Sequence, residues 1–73
     1  MSINIGDRFV LINELQKVAF KITGAASRNE LSGMMGYPAE VIAQQGHYAH
    51  FGRLNLGHLK QMQKLKPGEK LPF

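Results

Sequence analysis

At 73 residues, with 44% apolar and 19% charged side chains, the chain has room for one small globular domain and none for a dinucleotide fold, a TIM-type barrel or a two-domain enzyme. It has no cysteine, which excludes a disulfide framework and a thiolate zinc site. Nine Lys and Arg oppose five Asp and Glu, and the excess lies in the second half: net +1 over residues 1–36 and +3 over residues 37–73.

That balance points to an anionic neighbour, either nucleic acid or an acidic protein surface; a solvated basic face explains it equally well. The opening residues lack a basic stretch followed by an apolar one, and no apolar run is long enough to cross a bilayer. A cytosolic protein is therefore expected, and a monomer is the expected state.

In chain order, Gly6 and Asp7 form a turn-like lead-in to the apolar run 8–12. Residues 17–23 then alternate, with Val18, Phe20 and Ile22 on one side and Lys17, Lys21 and Thr23 on the other. The β-branched and aromatic content reads as two antiparallel strands joined by a loose connection at 13–16. A single amphipathic helix is the competing reading, because Phe9, Ile12, Leu15, Ala19 and Ile22 also fall near one helical stripe.

Ser27-Arg28-Asn29-Glu30 has the form of a capping box and predicts a short helix over 28–35 that stops at Gly36. Pro38 suits the first turn of a second helix over 38–45, with Val41 and Ile42 facing inward. Residues 47–55 show a period of two through Tyr48, His50, Gly52 and Leu54, which suits an extended segment. From residue 56 the spacing of Leu56, Leu59, Met62 and Leu65 is helical and predicts a basic amphipathic helix. The sequence Lys66-Pro67-Gly68-Glu69 ends it with a turn signal.

The expected fold is thus α+β. It comprises a single domain over 1–66, with an N-terminal β-hairpin packed on short helices, and a flexible tail over 67–73 in which Leu71 and Phe73 are available as anchors. The alternative is an all-α helix-turn-helix domain.

Ser32, Gly36 and Ile42 fit the tight helix crossing of that alternative, and its second helix would enter the DNA major groove with Tyr37, Gln44 and Gln45 as reading residues. The same helix contains no Lys or Arg, and Glu40 on it would meet phosphate badly.

His47, His50 and His58 invite a metal, but no carboxylate is near them in sequence, and half-buried or surface histidines are the simpler account. Ser32, His50 and Asp7 make a triad only on paper. Gly33-Met34-Met35-Gly36 lacks the Lys-Ser/Thr of a phosphate loop, and the Met34-Met35 pair suits a core or a partner groove. No catalytic activity, cofactor or required metal is expected.

The residues most suited to a partner are the cations of the second half: Arg53, Lys60, Lys64, Lys66 and Lys70, near the aromatic side chains of Tyr48, Phe51 and Phe73. They suit nucleic acid or an acidic protein surface.

In its opening Met1-Ser2-Ile3-Asn4-Ile5-Gly6-Asp7-Arg8-Phe9-Val10, in its ending Lys64-Leu65-Lys66-Pro67-Gly68-Glu69-Lys70-Leu71-Pro72-Phe73 and over its whole length, the chain resembles the small RNA-polymerase-binding transcription regulators of lytic Xanthomonas phages. The resemblance implies a non-enzymatic protein of the host bacterial cytoplasm. Its partner would be bacterial RNA polymerase, near the N-terminal end of the β′ subunit. It would inhibit initiation by displacing σ, and act as an antiterminator together with NusA.

Overall fold

The computed structural model describes residues 3–46 and 52–73. The elements in order are β1 (Arg8–Ile12), β2 (Gln16–Ile22), β3 (Ser27–Arg28), β4 (Met35–Gly46), β5 (Arg53–Asn55), the single helical turn α1 (Leu56–Leu59) and β6 (Gln63–Lys64). All pairings are antiparallel and join six strands into one sheet in the order β3-β4-β2-β1-β6, with β5 on the other edge of β4. No helix among the described residues is long and apolar enough to cross a membrane.

Both expected folds are therefore overturned. The chain is neither a hairpin packed on short helices nor a helix-turn-helix domain. The strands expected over 8–12 and 17–23 are present as β1 and β2, in the register Phe9↔Phe20 and Leu11↔Val18. They pack against more sheet and, through Leu59, against one helical turn rather than against a set of short helices.

The first expected helix fails at its cap. Asn29, not Ser27, is the capping side chain: its Oδ1 accepts the N–H groups of Leu31 and Ser32. The Gly33 N–H donates to the Asn29 carbonyl at 2.7 Å, and Gly33 turns the chain back at φ +71. The loop closes where Asn29 N–H donates to the Met34 carbonyl.

Gly36 does not end a helix. It is a buried strand residue paired with Ser27 on one side and Asn55 on the other, and a Cβ there would lie 2.7 Å from the Leu54 carbonyl. Its role is close approach, not a left-handed turn.

The second expected helix, 38–45, is the body of the twelve-residue strand β4. Pro38 is tolerated inside it because the Pro38 carbonyl accepts from Thr23 N–H. A strand residue's N and O point the same way, so the missing donor of Pro38 falls where β2 has just left the sheet. Farther along, Ala19 pairs with Ala43 and Phe20 with Val41, so Ile42 is an extra residue in β4. This bulge turns the strand: Val41 packs with one core cluster and Ala43 with the other.

One cluster joins Phe9, Val18, Phe20, Ile22, Ala39, Leu54 and Leu59. The opposite face of the hairpin buries Val10 and Ala19 beneath Leu65, with Leu71 and Phe73 packed alongside.

The helix expected from residue 56 to 65 lasts one turn. Asn55 caps it by accepting His58 N–H at 3.0 Å. Leu59, Met62 and Leu65 still turn inward, but through tight turns: Gln61 N–H donates to the His58 carbonyl and Met62 N–H to Leu59. The chain then extends as β6 along β1, pairing Gln63 with Val10 and Lys64 with Phe9. Hydrogen bonding to an open sheet edge replaces further helix.

Nor does the last segment hang free. The Arg8 guanidinium donates to the Lys66 and Glu69 carbonyls at 3.2 and 2.5 Å, and Glu69 Oε1 accepts Lys66 N–H at 2.9 Å. Leu71 and Phe73 then lie against the hairpin.

Candidate partner-binding surface

The five cations read from the second half do not form one site. Arg53 works inside the fold. From β5 its guanidinium donates to Ser27 Oγ at 2.6 Å and to the Ser27 carbonyl, fastening β3 to β5 across Gly36. Lys64 Nζ sits 3.2 Å from Asp7 Oδ2. Lys60 is exposed just after α1. Lys66 and Lys70 are exposed on the docked C-terminal segment.

The fold adds cations that the half-by-half charge count hid. In β1 and β2, Arg8 is opposite Lys21, and Lys17 is opposite Ile12. Side chains two and four residues apart share a face of a strand. Arg8, Lys17 and Lys21 therefore project on the same side as Val10 and Ala19, the side that Leu65, Leu71 and Phe73 cover. Because Arg8 grips the 66–69 turn, Lys66 and Lys70 border the same side. Arg8, Lys17, Lys21, Lys66 and Lys70 thus border one side, where Glu40, opposite Lys21, and Glu69 are the nearby carboxylates. The signal for this grouping was the alternation of residues 17–23, which sets Lys17 and Lys21 on the face opposite Phe20.

Asp7 pairs with Lys64, which is opposite Phe9 and so does not belong to that side. Its carboxylate accepts Asn4 N–H at 2.8 Å, and that bond, joined by Lys64, holds the carboxyl below its usual range against a smaller opposing effect of burial.

The DNA-reading constellation is not assembled. Tyr37 lies half-buried on β4 opposite Leu54 and packs against the core, whereas Gln44 and Gln45 are opposite Val18 and Lys17. At about 3.3 Å per residue, Tyr37 stands more than ~20 Å along the strand from the glutamines. Ser32, Gly36 and Ile42 are a loop residue, a strand residue and a bulge, not a helix crossing.

His47 and His50 of the three-histidine set, His50 of the paper triad, and the aromatic residues Tyr48 and Phe51 lie outside the described residues. Of the triad's other members, Ser32 Oγ accepts Met34 N–H and Asp7 is engaged by Lys64 and Asn4. Among the described residues, no group of three or more His, Asp or Glu side chains is placed to hold a metal ion.

Compared with known protein families, curated proteins and solved structures, the chain has no significant match.

Proposed function

We propose that this protein is a non-enzymatic transcription regulator that binds bacterial RNA polymerase in the bacterial cytoplasm. In this reading it inhibits σ-dependent initiation by displacing σ and acts as an antiterminator alongside NusA. The whole-length likeness to the small phage regulators motivates the target. The observation that carries the choice of surface is the cationic side built by Arg8, Lys17, Lys21, Lys66 and Lys70. Such a surface suits docking on an acidic protein face, because clustered charge speeds encounter and orients it. The contact lies toward the N-terminal end of the β′ subunit.

The test is transcription in a purified system. With polymerase, σ and a promoter template, the protein should reduce initiation in proportion to its concentration. Added to elongating polymerase with NusA, it should increase read-through of a terminator. Initiation that is untouched at protein concentrations far above those of polymerase would contradict the reading.

A further inference from the structure

Gly36 pairs with Ser27 of β3 on one side and with Asn55 of β5 on the other. Side chains two residues apart share a face of a strand, so Arg53 and Asn55 lie on the face of Gly36, away from Tyr37 and Leu54, which turn to the core. The missing side chain of Gly36 makes room for the arm of Arg53: a Cβ there would stand 3.1 Å from Arg53 Nε. A cleft of about 230 Å³ opens beside that arm, lined by Asn29, Ser32, Met34, Arg53 and Asn55.

The polar chemistry of this lining is one-sided. Asn55 Oδ1 accepts His58 N–H at 3.0 Å, and Asn29 Oδ1 accepts the N–H groups of Leu31 and Ser32 at 2.9 and 3.3 Å. Ser32 Oγ accepts Met34 N–H at 3.3 Å. Each of these oxygens is committed to the backbone. What the three side chains still offer is the two side-chain amide groups and one hydroxyl proton, all donors. Arg53 adds a positive charge. Two of its N–H groups hold Ser27, and a guanidinium carries more N–H groups than two. No carboxylate lines the cleft. Glu30 is the exposed chain neighbour of Asn29, and Glu40 lies four residues along β4 from Gly36, about 13 Å away.

We infer that this cleft binds a single carboxylate carried on a short methylene stem, the chemistry shared by a glutamate side chain and a small aliphatic acid. One fixed cation surrounded by neutral donors matches one negative charge, and a carboxylate takes several such hydrogen bonds at once. A phosphate dianion or a nucleic-acid strand calls for more cations, and neither Lys nor a second Arg lines the cleft. Met34 supplies the apolar part of the lining, suited to the stem. The backbone bonds that hold Asn29, Ser32 and Asn55, and the tie from Arg53 to Ser27, fix the donors before a ligand arrives, which lowers the cost of binding. None of these residues belongs to the cationic side, and the inference does not depend on the polymerase reading.

The experiment is an NMR titration at constant ionic strength and neutral pH. The probes are butyrate, glutamate with both its backbone ends blocked, and inorganic phosphate. The proteins are wild type, Asn55→Asp and Asn29→Asp. Aspartate keeps the oxygen that receives the backbone N–H but replaces the donor amide with negative charge, so both variants should hold the wild-type thermal midpoint or exceed it. In wild type both carboxylates should give saturable shifts of the Arg53 Nε–H signal and of the Asn29 and Asn55 side-chain amides, with affinity on the order of millimolar for ligands this small. Each aspartate variant should weaken that binding at least about tenfold. Phosphate should bind more weakly than either carboxylate. Tighter binding of the blocked glutamate than of butyrate assigns the site to a peptide side chain, and the reverse assigns it to a small acid.

The inference is overturned if neither carboxylate gives a saturable shift at these signals in wild type. It is also overturned if both aspartate variants, folded, bind as wild type does. Phosphate binding more tightly than both carboxylates would overturn the choice of ligand.

Discussion

Phe20 is fully buried at the point where β4 bulges, between Phe9 of β1 and Val41 of β4. A domain this small has few such side chains, so Phe20→Ala should cost about 3–5 kcal/mol, read from urea unfolding. Gly36 makes a sharper test of topology. On a helix, Gly36→Ala would be mild or stabilising. Between β3 and β5 the new methyl meets the Leu54 carbonyl at 2.7 Å, so the variant should be destabilised by about 1–3 kcal/mol. A neutral or raised thermal midpoint would contradict the strand assignment. Asp7 gives a pH signature. Its folded carboxyl titrates below the ordinary value of 3.8, so its stabilising contribution is present above that pH and is lost as pH falls through the lower, folded value. The gap in thermal midpoint between wild type and Asp7→Asn should therefore be steady near neutral pH and shrink below about pH 4.

At the level of elements, local pattern and long-range pairing diverge. β1 and β2 were legible because Val18, Phe20 and Ile22 alternate and the partners of Val18 and Phe20, Leu11 and Phe9, lie just across one short connection. β4 was not, although Ala39, Val41 and Ala43 alternate too. Gly36 and Pro38 read locally as the stop of one helix and the start of the next. Only β3 and β5 on either side give Gly36 a reason to be small, and only the departure of β2 gives Pro38 a place without a donor. The Leu56, Leu59, Met62, Leu65 spacing is likewise shared by a full helix and by one turn followed by tight turns. Pairing of β6 with β1 selects the second. Among the basic candidates, Lys66 and Lys70 are exposed as expected, whereas Arg53 is consumed by Ser27. Its partner lies 26 positions away, and no local signal announces it. Leu71 and Phe73 pack on the hairpin, so deleting residues 70–73 should lower stability by about 1–3 kcal/mol in urea unfolding. Unchanged stability would show that the segment is not docked.

Over the whole molecule, an antiparallel sheet brings charges from both ends of the chain to one side. Arg8 is the hinge of that arrangement, holding the 66–69 turn against β1 beside Lys21. Docking of this side on polymerase is the proposal to be tested. The most direct measurement is equilibrium binding to nucleic-acid-free core polymerase over a range of salt concentrations, for wild type and for Lys21→Glu/Lys66→Glu/Lys70→Glu. All three side chains are exposed, so the fold should survive, which an unchanged thermal unfolding curve would verify. Wild type should bind, and bind more weakly as salt rises. The variant should bind at least about tenfold more weakly at low salt, with a flatter salt dependence. Wild-type binding that is matched by the variant at every salt concentration, or no wild-type binding at any, would contradict it.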